Sequence, residues 1–103
     1  MGVIKPELHP EAVQDFYDQL RYLEEKDCSD QTLIKFVQTI REGRDKIGRN
    51  PLTWSFANPK KNVRKLPTRL FRFVIFYILQ PNGVPLILEF AGPGRQPRWA
   101  KRL

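Results

Sequence analysis

The 103-residue chain carries 18 Lys and Arg against 11 Asp and Glu, a formal net charge of +7, with 41% apolar and 12% aromatic residues, one Cys and one His. Such a composition supports one small packed core, so residues 1–103 are expected to form a single domain, and it excludes an internal disulfide and a four-ligand zinc centre of the usual kind. The longest strongly apolar run, Leu70–Leu79, is broken by Arg72 and falls far short of the ~20 residues a membrane-spanning helix needs. Met1–Pro6 has neither a sustained apolar segment nor a small-residue cleavage site, so the expectation is a cytoplasmic protein with no membrane partner, no metal and no cofactor.

In chain order, Val3, Ile4 and Leu8, bounded by Pro6 and Pro10, predict a brief first strand. Pro10 suits the first turn of a helix. Val13, Phe16, Leu20 and Leu23 then recur at steps of three and four, with Glu11, Asp15, Asp18, Arg21, Glu24 and Glu25 between them, which predicts an amphipathic helix to about Lys26. After the turn Asp27–Asp30, where Ser29 or Asp30 can cap, Leu33, Phe36, Val37, Ile40 and Ile47 predict a second helix closing near Gly48. So short a turn makes the pair an antiparallel hairpin. Arg49-Asn50-Pro51 ends it, and the segment to Pro59 reads as an ordered connection with Trp54 and Phe56 packed beneath.

Beyond Pro59 the residue choice changes. Asn62–Leu66, Leu70–Leu79 and Val84–Ala91 are strands by composition and length. Gln80-Pro81-Asn82-Gly83 is a turn that pairs the last two as an antiparallel hairpin. Apolar residues on both faces of Leu70–Leu79 make it the central strand. The expected fold is therefore α+β, ordered β-α-α-β-β-β, with a helical hairpin packed on a small, mostly antiparallel sheet. A turn at Gly92-Pro93-Gly94 leads into a basic tail, Arg95–Leu103.

Charge is distributed unevenly along this plan. Residues 1–59 hold 8 basic and 10 acidic side chains, whereas residues 60–103 hold 10 basic and 1 acidic, Glu89. The positive field that follows points to a polyanionic partner, either nucleic acid or an acidic protein segment. Arg64, Arg69, Arg72 and Arg95 come from strands or strand ends that the sheet would draw together. Guanidinium groups hold phosphate in a bidentate fork, and Trp99 offers a surface on which a base could stack. Cleavage of RNA would also need groups to take and return a proton, yet no His lies in this half. His9 reads as a helix cap, Cys28 as an ordinary thiol in an acidic turn, and Glu89 as an arginine partner.

Four segments carry a resemblance: Val63-Arg64-Lys65-Leu66-Pro67, Phe71–Tyr77, Leu86–Ala91 and Arg95-Gln96-Pro97-Arg98-Trp99-Ala100-Lys101-Arg102. With Pro10-Glu11-Ala12 at the helix start and Asn50-Pro51 after the hairpin, the pattern resembles the ParE/RelE toxin superfamily, closest to ParE-like plasmid-stabilisation proteins, over nearly the whole chain. The resemblance implies the toxin of a bacterial type II toxin–antitoxin system, neutralised by a cognate antitoxin laid across the hairpin and sheet. Phe16, Leu20, Phe36 and Ile40 are then expected to contact that antitoxin. ParE-like members resemble inhibitors of DNA gyrase, for which Arg95, Arg98, Trp99, Lys101 and Arg102 would bind the target. RelE-like members are ribosome-dependent mRNA endoribonucleases, for which Arg64, Arg72 and Arg95 would be catalytic. The Arg-x-Pro-x-Trp tail favours the ParE side, although Gly92 stands where that group often carries a His.

Overall fold

The computed structural model describes residues 4–103, and its elements are β1 (Glu7–Leu8), α1 (Pro10–Glu25), α2 (Asp30–Arg49), β2 (Phe56–Asn58), β3 (Val63–Pro67), β4 (Val74–Leu79), β5 (Pro85–Ala91) and a closing 3-10 helix (Trp99–Arg102). The class is α+β, with two helices on a five-stranded mixed sheet ordered β1-β5-β4-β3-β2. Strands β2 to β5 pair antiparallel in turn, while β1 runs parallel to β5. Of the expected first strand only Glu7 and Leu8 pair, and Val3 lies outside the described residues.

Both helices start on side-chain caps. The His9 Nδ1 accepts the Glu11 amide at 3.1 Å, with Pro10 in the first turn, and the Ser29 hydroxyl accepts the Thr32 amide at 3.2 Å. These bonds satisfy amide groups that no helical carbonyl can reach. Asp27 turns the chain between the helices at φ 57°, a conformation that Asp tolerates. Val13 and Phe16 of α1 and Val37 and Ile40 of α2 line one groove of the resulting hairpin, and the Phe16 and Phe36 rings stack at 5.5 Å. On α2, Gly48 permits the chain at Ile4–Pro6 to lie against the helix, since a Cβ there would collide with the Ile4 carbonyl oxygen.

The helices cover one face of the sheet. Ala12, Leu23, Phe36, Ile40 and Ile47 pack there against Leu66, Phe73, Ile75, Tyr77, Ile87 and Phe90. A second, smaller cluster of Val63, Phe76, Leu88 and Ala91 forms on the opposite face, with Trp99 laid over it. Strand β4 is central, as its two apolar faces require.

Two local departures from the expected strands have physical causes. The central strand begins at Val74 and not at Leu70, because Phe71 and Arg72 both adopt positive φ, 65° and 53°, and turn the chain. Thr68 braces that turn through hydroxyl bonds to the Leu70 and Phe73 carbonyls, and the Phe71 ring packs edge-on against Phe36 at 5.6 Å. The connection before Pro59 contains β2, which pairs with β3, so one of its aromatics, Phe56, is exposed on an edge strand while Trp54 packs on the core.

A bulge in β5 sets up the candidate site. Tyr77 lies opposite Ile87 but Phe76 lies opposite Glu89, leaving Leu88 as the extra residue. Ile87 and Phe90 therefore face the helices, Leu88 and Ala91 face away, and Glu89 reaches the chain that crosses the open face.

Candidate functional site

Residues 92–103 form a strap that turns back from the end of β5 over the face opposite the helices. Gly94, at φ 75°, makes the reversal that a side chain would disfavour. Three contacts hold the strap. The Glu89 carboxylate accepts the Arg98 amide at 2.7 Å, the Trp99 ring lies 6.4 Å from that of Phe76, and Arg102 is buried at 8% exposure. Glu89 thus pins the strap backbone through an amide, where an arginine side chain was expected.

The burial of Arg102 follows from an incomplete edge. Strand β1 pairs with Leu86 and Ile87, and among the described residues the rest of β5 has no neighbouring strand on that side. Buried backbone groups need partners, and side chains supply them. Arg102 Nη1 donates to the Leu88 carbonyl at 2.9 Å, and Asp15 Oδ2 accepts the Phe90 amide at 3.1 Å. The two side chains join in a forked pair of 2.6 and 3.1 Å. That hydrogen bond with Asp15, against the opposing effect of burial, raises the Arg102 pKa further above its ordinary value, so the guanidinium stays charged.

With Trp99 and Arg102 turned inward, Arg95, Arg98 and Lys101 are left exposed. They surround a depression of about 340 Å³ whose other walls are Gln96, Pro97 and Ala100, with no acid among them. Arg98 is the N-cap of the closing 3-10 helix and its carbonyl accepts the Lys101 amide at 3.1 Å, so these two residues belong to one turn, and Arg95 lies before it. Lys65 also points to this face, because it lies opposite Phe76 in the register, and it is exposed.

The remaining arginines do not join this group. Arg64 lies opposite Tyr77 and therefore on the helix-covered side of β3. Its Nη1 donates to the carbonyls of Leu52 at 3.2 Å and Trp54 at 2.7 Å, and its guanidinium sits 4.0 Å from the Phe56 ring centre. The Tyr77 hydroxyl donates to the Pro51 carbonyl at 2.6 Å, and burial pushes its pKa up to about 12 against the opposing charge of Arg64. Both side chains thus fasten residues 51–54 to the sheet. Arg72 is exposed on the turn before β4, whose first residue, Val74, lies opposite Ala91 at the end of β5. Arg64 lies on the side of the sheet opposite the strap and is bonded to the carbonyls of Leu52 and Trp54.

On the hairpin, Phe36 and Ile40 are buried in the core, and Phe16 and Leu20 are half-buried against it. Phe16 and Ile40 also line a groove of about 250 Å³ between the helices, with Tyr17 and Val37 at its surface. Among the described residues no group of three His, Cys, Asp or Glu side chains could hold a metal, and no helix is long and apolar enough to cross a membrane.

One residue of the site escaped the sequence reading. Asp15 was grouped with the solvated positions of α1, yet it lies three residues after buried Ala12 and eight before buried Leu23, on the apolar stripe itself. An acid in that stripe is the signal of a buried cation partner. No family model, curated protein or solved structure matches the chain.

Proposed function

We propose that this chain is the toxin of a type II toxin–antitoxin pair, of the ParE kind, which acts in the cytoplasm by binding DNA gyrase and is neutralised by a cognate antitoxin. The observation that carries this reading is the division of labour in the strap. Trp99 and Arg102 anchor it, and Arg95, Arg98 and Lys101 are presented outward from a fixed backbone around one depression. A surface of this kind binds; its cations have no acid–base partner beside them among the described residues. Arg64, which an RNA-cleaving site would draw on, is engaged with the carbonyls of Leu52 and Trp54. In this reading Arg95, Arg98 and Lys101 contact the target, whereas Trp99 and Arg102 hold the strap in position. The groove at Phe16 and Ile40 receives the antitoxin.

The test is supercoiling of relaxed plasmid by purified gyrase with ATP, with a readout for cleaved DNA. The protein is expected to inhibit supercoiling or trap breaks, and a variant with Arg95→Gln, Arg98→Gln and Lys101→Gln is expected to lose that effect while remaining folded. Full gyrase activity at excess protein, together with mRNA cleavage on purified ribosomes, would replace this reading with the RelE-type endoribonuclease.

A further inference from the structure

We infer that the strap and the adjoining open sheet face bind duplex DNA directly, through its backbone phosphates, an inference that deepens the proposed function by assigning the chemistry its surface recognises. The charge is divided along the chain. The 10 acidic residues of positions 1–59 belong to β1, the helices and the turn between them, whereas residues 60–103 bring 10 cations and one acid. That one acid, Glu89, is buried and bonded to the Arg98 amide, and no acid is among the residues that line the depression at Arg95, Arg98 and Lys101. Arg95, Arg98 and Lys101, with Lys65 on the same face of the sheet, form a positive surface on a strap that is joined to β5 at one end and held by Arg102 at the other.

Phosphates are the part of the nucleic acid this surface fits. Recognition of single strands relies on aromatic side chains that stack on unpaired bases, and Trp99, the one aromatic of the strap, is half-buried with its ring packed toward Phe76. Base edges in the major groove are read by an α-helix or a two-stranded ribbon, and the four-residue 3-10 helix is neither. What is left is contact with the outside of a duplex. Such contact is independent of sequence and depends steeply on salt, because each neutralised phosphate releases counterion.

The experiment measures binding of the full chain to a short mixed-sequence DNA duplex, without gyrase, as salt is varied. Three phosphate contacts predict a slope of log K against log salt of about −2.7, or a loss of about 40-fold between about 50 and about 200 mM salt. The Arg95→Gln, Arg98→Gln, Lys101→Gln variant should lose most of that slope. A second variant, Arg21→Gln, Lys35→Gln, Arg49→Gln, removes the same net charge from exposed positions of the hairpin and should retain it. Equal loss in both variants would reduce the effect to net charge and overturn the inference. Tighter binding to a single-stranded RNA of the same length, or no duplex binding at about 50 mM salt, would overturn it too. DNA binding without gyrase inhibition would remove the gyrase reading and leave this inference standing; inhibition without DNA binding would do the reverse.

Discussion

Replacing Asp15 by Ala tests how the strap is anchored. The Arg102 and Asp15 side chains are 5% and 12% exposed, so the substitution leaves a desolvated cation with the Leu88 carbonyl as its remaining close acceptor. Glu11, at 3.7 Å and 61% exposed, offers weak compensation. Removing one partner of a buried pair costs about 3–5 kcal/mol, and the Phe90 amide that loses its acceptor adds about 1 kcal/mol. A domain of this length has a total stability of roughly 5–15 kcal/mol, so about 4 kcal/mol removes a large share of it. At about 4–8 °C per kcal/mol, Tm should fall by more than about 15 °C. Urea denaturation followed by tryptophan fluorescence measures the loss directly. The paired change Asp15→Leu with Arg102→Met should cost far less than the sum of its parts, because it removes both charges. If Asp15→Ala costs under about 1 kcal/mol and the double-mutant cycle shows no coupling, the pair behaves as a surface ion pair. Arg102 would then be available to a target after all.

Two further substitutions probe the remaining structure. Tyr77 has a folded-state pKa of about 12, above its ordinary value of 10.0, so its neutral phenol stabilises the fold fully below about pH 10 and that contribution is lost as pH rises towards 12. Stability measured by urea across this range should fall more steeply for the wild type than for Tyr77→Phe, and parallel curves would refute the burial argument. Gly48→Ala places a methyl group against the Ile4 carbonyl oxygen and 3.1 Å from Pro6 Cδ. It should cost about 1–3 kcal/mol by displacing the segment before β1; an unchanged Tm would show that this segment does not pack as described.

Periodicity made the helices legible. The steps between Val13 and Leu23, and between Leu33 and Ile47, place both within a residue or two of their observed ends, since an amphipathic stripe and a capping Ser29 are local signals. The strands were legible where apolar residues dominate, as in β4 and β5. Strand β2 was not, because three residues with one exposed aromatic carry no periodicity, and its existence depends on β3. The turn at Phe71 and Arg72 was hidden for a similar reason: residues of strand-like type are held at positive φ by Thr68 and by packing on Phe36, both tertiary effects. At the candidate site, composition revealed the basic tail but not which cations it spends on the fold. Arg102 and Arg98 look alike in sequence. Only the short reach of β1 along β5 decides that Arg102 turns inward, and Asp15, 87 residues away, is what receives it.

The short β1 also bears on self-association. An open sheet edge invites the strand of another molecule, and β5 would present such an edge beyond Ile87. There the Leu88 carbonyl and the Phe90 amide are already taken by charged side chains, so an incoming strand would have to displace a desolvated ion pair to form its first bonds. At the other edge, β2 is three residues long, its pairing with β3 is interrupted by a register shift, and Pro59, Lys60 and Lys61 follow it. Proline and lysine at an edge oppose strand addition for steric and electrostatic reasons. Both margins of the sheet are thereby closed to the edge-to-edge growth that leads to aggregates, one by an ion pair and the other by brevity and charge.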